Sequence, residues 1–167
     1  MSETADAIMD AAERRIRDAG YDGFSFREIA VDVGVKSASV HYHFPTKESL
    51  AAAVARRYTE RFMAAIDKEM AGGSDVVGAW IAAFQHALRS DGKMCLCGAL
   101  GATSGNLPNE VLVEARRFFE LGLKKLIGGG LSQAKAMRVM AILEGAMLLA
   151  NVLASPVAFE EAIAELS

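Results

Sequence analysis

The sequence predicts an all-α protein of about nine helices. Apolar residues recur at helical spacing along nearly the whole chain of 167 residues, and no long strand-like alternation interrupts that pattern. Apolar residues make up 52% of the chain and proline occurs only three times, a composition typical of helices that pack on one another. Short segments rich in glycine, proline and asparagine mark the ends of the predicted helices.

The first fifty residues predict a head of three short helices. The first helix covers about residues 3–19, with Ile8, Ala12 and Ile16 on one face, and it ends at Gly20. This spacing, i, i+4 and i+8, places the three side chains on the face that packs against the rest of the head.

A helix-turn-helix follows the first helix. Ser25 and Glu28 have the spacing of a capping box, which predicts Ser25 as the N-cap of the second helix. Gly34 ends that helix and begins a three-residue turn, after which a third helix covers about residues 37–44.

The third helix has a distinctive outward face. Val40 and Phe44 lie four residues apart and define its buried side, whereas Ala38 and Tyr42 point the opposite way. Short side chains let a helix backbone approach the major groove of DNA, where an alanine methyl can contact thymine. The pattern therefore predicts a DNA-reading helix, and a solvated face of an ordinary short helix is the alternative interpretation.

Phosphate contacts are expected on both sides of this helix. Ser25 and Arg27 lie at the start of the second helix and Lys47 at the start of the fourth, where free backbone N–H groups also favour an anion. No acidic side chain occurs in residues 34–47, a segment that also contains Lys36. The net charge of −3 argues against a protein that coats nucleic acid by charge alone, so this local segment carries the prediction.

Three runs in the head carry a family resemblance. Residues 20–30, 33–35 and 40–50 read GYDGFSFREIA, VGV and VHYHFPTKESL. Over about residues 5–60 the chain resembles the TetR family of bacterial transcriptional repressors. The resemblance implies an all-α homodimer with a helix-turn-helix DNA-binding domain, residues 1–50, and a helical regulatory and dimerisation domain, residues 51–167. It also implies a repressor that an unknown small-molecule effector releases from its operator.

The resemblance further implies which side chains contact double-stranded DNA at a palindromic operator. These are Ser25, Arg27, Ser37, Ala38, Ser39, His41, Tyr42, His43 and Lys47. We add Lys36, although the family commonly has serine there. His41 stands where the family usually has tyrosine, so an imidazole, whose charge depends on pH, replaces the usual phenolic contact.

Residues 51–167, which we call the body, are predicted to contain the dimer interface. After a long fourth helix over about residues 47–70, the predicted helices lie near 75–90, 95–105, 109–127, 132–154 and 157–166. The eighth is apolar on nearly all sides, and its small residues Ala141 and Gly145 permit close approach of another helix. We expect a homodimer formed by helices 8 and 9 of two copies, and a core helix within one chain is the alternative.

The effector pocket is expected among helices 4 to 8. Large apolar side chains are the candidates to line it, although each such residue is more often plain core. They are Phe62, Ile66, Trp80, Phe84, Met94, Leu100, Phe118 and Met147. A body that serves only as a protein-interaction module is a third reading of this region.

The two cysteines lie close together, as Cys95 and Cys97. The stretch from Cys95 to Gly101 resembles that of an electrophile-sensing subgroup of the same family. The alternative function is therefore a thiol-based electrophile or redox sensor that acts through Cys95. The competing interpretation is that both cysteines are small buried residues of the core. The two cysteines alone provide too few ligands for a metal site. A helical enzyme with a cysteine nucleophile would be a function of another class, and it would need a base beside that cysteine. We expect no enzyme activity, metal or cofactor.

Neither a targeting segment nor a membrane span is expected. The first ten residues include three acids and no basic residue. The most apolar segment, residues 139–154, is interrupted by Glu144 and Asn151. With only two cysteines, the expected location is the reducing cytoplasm, on the nucleoid.

Overall fold

The computed structural model describes residues 2–166, apart from the side chain of residue 91. Over that range the protein is all-α, which confirms the predicted fold class. Its helices are α1 Glu3–Ala19, α2 Phe26–Val33, α3 Ser37–His43, α4 Lys47–Ala71, α5 Val76–Asp91, α6 Leu96–Gly101, α7 Asn109–Gly128, α8 Gln133–Val152 and α9 Pro156–Ile163. Single 3₁₀ turns occur at Tyr21–Gly23 and Ser104–Asn106.

The chain folds into two compact units. The first unit contains the residues up to 58 together with residues 96–116, and the second contains residues 59–95 together with those from 117 onward. Helices α4 and α7 contribute residues to both units.

Helix α1 is the centre of the first unit. Ile8 and Ile16 are fully buried, as their spacing predicts. The Arg57 guanidinium of α4 lies 2.6 Å from Asp10 and 3.5 Å from Glu13 on α1. These ion pairs fix the first part of α4 against α1, so the residues that begin α4 have a defined position beside the helix-turn-helix.

The second unit is built around aromatic residues and helix α8. Helix α8 packs against α9 and α5. Trp80 of α5 and Phe118 of α7 are fully buried. On the surface of this unit, Lys125 of α7 forms an ion pair with Asp67 of α4.

Helices α6, α8 and α9 are shorter than the sequence predicts, and α8 covers Gln133–Val152 where about 132–154 was expected. Helix α6 ends at Gly101, not near residue 105, because Ala102 and Thr103 form a turn and glycine at 98 and 101 weakens the helix. Helix α9 ends at Ile163, not near residue 166.

Candidate nucleic-acid interface

The turn of the helix-turn-helix depends on Gly34. Its backbone has φ of 75°, the left-handed region that glycine enters without steric cost, and its N–H donates to the carbonyls of Ala30 and Val31. The Val35 N–H also donates to the Ala30 carbonyl, at 2.9 Å. These hydrogen bonds satisfy the last carbonyl groups of α2, and the left-handed glycine directs the chain into α3.

Ser25 begins α2 as predicted. Its hydroxyl accepts a hydrogen bond from the Glu28 N–H at 3.3 Å and donates to the Glu28 carboxylate at 2.8 Å. This pairing confirms the capping role of Ser25, so its hydroxyl is already engaged within the protein.

The outward face of α3 is the one predicted from helical spacing. Val40 is fully buried and Phe44 nearly so, whereas Tyr42 is 84% exposed. Ala38 is exposed as well. An aromatic ring with so little cover protrudes from the surface of the head, where it can enter a groove.

Most of the predicted DNA-contacting residues lie on the surface. The exposed ones are Ser25, Arg27, Lys36, Ser37, Ala38, His41 and Tyr42, and the half-buried ones are Ser39, His43 and Lys47. The His41 ring packs edge-on against Phe26, with centroids 4.6 Å apart, and the His43 ring lies 5.2 Å from that of Tyr42. The His41 imidazole therefore also helps to hold α3 against α2.

Lys47 is held by aromatic rings. Its ammonium nitrogen lies 4.5 Å from the Tyr21 ring centroid and 4.7 Å from that of Phe24, which are cation–π distances. Burial and the neighbouring Glu48 carboxylate raise the pKa of Tyr21 to about 12, so its hydroxyl stays protonated and can donate to Glu48. These contacts orient a flexible lysine at the beginning of α4.

The acids of α2 are compensated within the head. Arg15 of α1 lies 2.5 Å from Asp32 and 3.2 Å from Glu28. The hydrogen bond from Arg15 lowers the pKa of Asp32 and correspondingly raises the pKa of Arg15. The Ser25 hydroxyl, followed by Arg15, lowers the pKa of Glu28. The two carboxylates beside the candidate surface are thus paired, which reduces their repulsion of phosphates.

The aromatic pocket candidates of the second unit meet one another. The Phe62 ring centroid lies 5.7 Å from that of Trp80 and 5.3 Å from those of Phe84 and Phe118. We call Phe62, Trp80, Phe84 and Phe118 the ring cluster. Ile66 and Met147 are also fully buried in this unit, Met94 is half-buried there, and Leu100 is buried in the first unit.

A cavity of about 640 Å³ opens elsewhere in the second unit. It lies between the end of α5 and the junction of α8 with α9, and Arg89 forms an ion pair with Glu160 at its edge. Its lining shares no residue with the pocket candidates: Gln85, Leu88, Arg89, Gly92, Ala150, Asn151, Ala154, Ser155, Pro156 and Glu160.

The burial of the Glu144 carboxyl in α8 is not predicted from the sequence. Both of its carboxyl oxygens are buried, with no partner at hydrogen-bond geometry among the described residues, and the residue as a whole is half-buried. Burial raises the pKa of Glu144 to about 7, and interaction with the Cys95 thiol partly opposes that rise. The sequence signal for this buried carboxyl was a lone acidic residue in the most apolar stretch of the chain.

Cys95 and Cys97 are fully buried, and neither forms a disulfide. The Cys95 N–H donates to the sulfur of Met147 at 2.8 Å. The Glu144 carboxyl beside Cys95 opposes ionisation of the Cys95 thiol, because a nearby carboxylate disfavours a second negative charge.

The described part of the chain has neither a metal-binding cluster nor a membrane-spanning helix. No group of three or more histidine, cysteine or acidic side chains that could hold a metal ion occurs among them. In residues 2–166, no helix has the length and apolar character needed to cross a membrane.

The head is similar to a known sequence family. The family model for bacterial regulatory proteins of the tetR family matches residues 8–54. A curated relative, the biofilm operon icaADBC HTH-type negative transcriptional regulator IcaR of Staphylococcus aureus, is 42% identical over 45 residues. That match covers 27% of this chain and 24% of IcaR, so the chain aligns with only about a quarter of the relative's length.

The likeness to solved structures extends over the whole chain. A TetR transcriptional regulator from Legionella pneumophila has a TM-score of 0.89 and 30% identity, over 99% of this chain and 96% of that one. A TetR-family regulator from Agrobacterium tumefaciens has a TM-score of 0.86 and 28% identity, over 95% of this chain and 93% of that one.

Proposed function

The chain belongs to the TetR family of bacterial regulatory proteins, and from that premise we propose that it is a DNA-binding transcriptional repressor. The observation that carries the proposal is the face of α3, where Tyr42 is 84% exposed beside the small side chain of Ala38. A face of this composition fits the major groove. The name of IcaR, a negative transcriptional regulator, supports repression as the direction of control.

In this function the third helix reads bases and its neighbours contact phosphates. Ala38 and Tyr42 face the base edges, and Arg27 and Lys47 on the flanking helices contact the DNA backbone. The remaining contacts are assigned to Ser25, Lys36, Ser37, Ser39, His41 and His43. Because the Ser25 hydroxyl also caps α2, its contact with phosphate requires the hydroxyl to be shared.

Selection of bound fragments from the native genome tests the assignment to DNA. The full-length protein is mixed with sheared genomic DNA at physiological salt, and the retained fragments are sequenced. We expect a palindromic site whose half-sites lie about one helical turn apart, since two recognition helices of a dimer would read it. Fragments no richer in any site than the input would contradict the proposal.

Lys47→Ala is expected to weaken binding to all DNA sequences by a similar factor. Each protomer of the proposed dimer loses one phosphate contact, so the slope of log K against log salt should fall by about 1.8 for the dimer, at about 0.9 per contact. Gel-shift titrations at several salt concentrations measure that slope, with Lys124→Ala on the exposed face of α7 as the control. A slope unchanged by Lys47→Ala would remove Lys47 from the DNA contacts.

An apolar stripe on α8 supports dimerisation. Leu148 is 51% exposed, Val152 is 73% exposed and Met137 is 50% exposed, and they share one side of the helix with exposed Ala141. A Cβ placed on Gly145 would meet open space, so this side of α8 is uncovered. A second copy of the same helix is the partner that we propose for it, together with α9.

Sedimentation measures the dimer directly. We expect the wild-type chain to sediment as a dimer at micromolar concentration and Val152→Asp to shift it toward monomer. Val31→Asp is a matched control, because Val31 is 75% exposed on α2 and lies outside the stripe. A wild-type monomer, or equal shifts in both variants, would contradict dimerisation through α8.

We assign to the body the binding of a small-molecule effector that releases the operator. The aromatic pocket candidates support this assignment because large apolar side chains with few polar groups line most ligand sites. Effector binding would shift the dimer between two arrangements that differ in DNA affinity. In this function the body regulates and does not catalyse a reaction.

A thiol sensor acting through Cys95 is the alternative mode of regulation. Complete burial of Cys95 disfavours it, since reactive cysteines are partly exposed. We therefore expect no adduct in the intact mass of the folded protein after mild treatment with N-ethylmaleimide. An adduct that Cys95→Ser removes would reverse this preference and establish the thiol as the sensor.

A further inference from the structure

The backbone donors at the start of α4 are largely in use within the protein. The Thr46 N–H donates to the Ser49 hydroxyl at 3.2 Å, and the Ser49 N–H donates to the Thr46 hydroxyl at 3.0 Å. The Glu48 N–H interacts with its own carboxylate. Because a helix N-terminus binds an anion through such N–H groups, a phosphate at this point depends mainly on the Lys47 ammonium.

The Lys47 ammonium lies between two aromatic rings. Its nitrogen is 4.5 Å from the Tyr21 ring centroid and 4.7 Å from that of Phe24, and the planes of the two rings are nearly perpendicular, at 85°. A ring face attracts an ammonium group without accepting the strong hydrogen bond that an oxygen accepts. The rings therefore order the lysine and leave its N–H donors available for phosphate.

The two rings differ in what else they do. Phe24 is 2% exposed and belongs to the core of the head. Tyr21 is half-buried in the 3₁₀ turn Tyr21–Gly23, before the helix-turn-helix begins. Tyr21 is not among the predicted DNA contacts, and its replacement takes less from the core than replacement of Phe24 would.

The hydroxyl of Tyr21 acts on the acid that follows Lys47. The pKa of Glu48 is lowered first by its own backbone N–H, and then by hydrogen bonds from the Tyr21 hydroxyl and from Thr46. The Glu48 carboxylate is thus engaged by the protein at the start of α4. Its competition with phosphate for the Lys47 ammonium is reduced accordingly.

We propose that Tyr21 is a positioning residue for DNA binding, whose ring orders the Lys47 ammonium before a phosphate arrives. This inference rests on the proposed function, in which Lys47 contacts the DNA backbone. A lysine side chain loses rotamer freedom when it is fixed at an interface, and this loss weakens binding. In this chain the Tyr21 ring removes part of that freedom beforehand, so it raises affinity without touching DNA.

Tyr21→Leu is expected to weaken operator binding. The usual strength of an exposed cation–π contact corresponds to about a twofold to fivefold preference for the ordered lysine. Each protomer of the proposed dimer contributes one such lysine, so the loss for the dimer should be about fourfold to twenty-five-fold. Tyr21→Phe is the matched control, because it keeps the ring face and should bind within about twofold of the wild type. Gel-shift titration measures the affinities, and a melting curve for each protein checks that it is folded.

A double-mutant cycle with Lys47→Ala separates positioning from a structural role. When Lys47 is absent, Tyr21→Leu should weaken binding by less than about twofold, because the group that the ring positions has been removed. Equal losses with and without Lys47 would make Tyr21 purely structural and overturn the inference. Wild-type affinity in Tyr21→Leu overturns it as well, and so does a full loss in Tyr21→Phe, which would assign the effect to the hydroxyl.

A measurement without DNA tests the ordering of Lys47 directly. Proton–carbon NMR spectra of the full-length protein record the lysine Cε groups, and Lys47→Ala and Lys124→Ala identify two of the signals. The ring currents of Tyr21 and Phe24 should shift the Lys47 signal upfield, whereas exposed Lys124 on α7 gives the reference position. A Lys47 signal at the position of Lys124 in the wild type overturns the inference, whether or not Tyr21→Leu folds.

These experiments distinguish failure of the inference from failure of the proposed function. Operator binding by the wild type tests the repressor alone. If Lys47→Ala weakens that binding and Tyr21→Leu does not, the positioning role is overturned and the repressor stands. If no DNA is bound although the Lys47 signal is shifted by the rings, the repressor fails and the role of Tyr21 in DNA binding fails with it.

Discussion

Replacing Tyr42 with alanine is expected to weaken operator binding by about 1–3 kcal/mol per half-site, the range for loss of one good base contact. The ring is 84% exposed on α3, so its removal takes little from the packing of the head. The loss should therefore appear in DNA affinity and leave thermal stability nearly unchanged. Gel-shift titration against the selected operator, with a melting curve for each protein, measures both quantities.

Tyr42→Phe is the control for this experiment. If the ring supplies apolar contact in the groove, the phenylalanine variant should bind nearly as the wild type does. If the hydroxyl contacts a base or a phosphate, this variant should share most of the loss. Wild-type affinity in Tyr42→Ala would remove the third helix from the interface.

The wild-type protein is expected to lose stability as pH rises, relative to Glu144→Gln. Burial raises the pKa of Glu144 from 4.5 to about 7 in the folded state. Between these values the folded state binds more protons than the unfolded state, so the free energy of unfolding falls with increasing pH. The contribution of the protonated carboxyl is complete below pH of about 4.5 and is lost as pH passes about 7.

The size of this effect follows from the shift. At 1.36 kcal/mol per pKa unit, the relative loss between pH of about 4 and about 8 amounts to about 3 kcal/mol. Urea unfolding of both proteins at equal concentration, at several pH values, measures the difference between the two curves. Parallel curves for the wild type and Glu144→Gln would mean that the carboxyl is solvated in the folded protein.

The head was predictable from sequence because local rules govern it. The capping box at Ser25 and the left-handed glycine at 34 each act within a few residues, and the structure has both. The outward position of Tyr42 follows from helical spacing once Val40 is recognised as buried. The contacts of Lys47 with Tyr21 and Phe24 were not predictable, since they join residues more than twenty positions apart.

The body was predictable in its helices but less so in its interior. Hydrophobic spacing predicts that Phe62 and Trp80 are buried, but it does not specify which side chains meet across helices. The placement of Glu144 beside Cys95 depends on the packing of α8, which no local pattern encodes. The length of α6 was overestimated because the alanine and leucine residues of that segment favour a helix, whereas its glycines end the helix early. Which residues line the effector pocket stays a prediction.

If the uncovered stripe on α8 is the dimer interface, as we propose, operator binding depends on the abundance of the chain. When only the dimer binds an operator, and dimers are in the minority, operator occupancy rises with the square of the chain concentration. A twofold change in synthesis would then change occupancy about fourfold, before any effector is present. Leu148 and Val152 of the stripe are uncharged, so added salt should not change how steeply operator occupancy rises with chain concentration. Added salt should, however, lower the affinity for DNA. In the proposed dimer, gene dosage is thus a second input to the control of transcription.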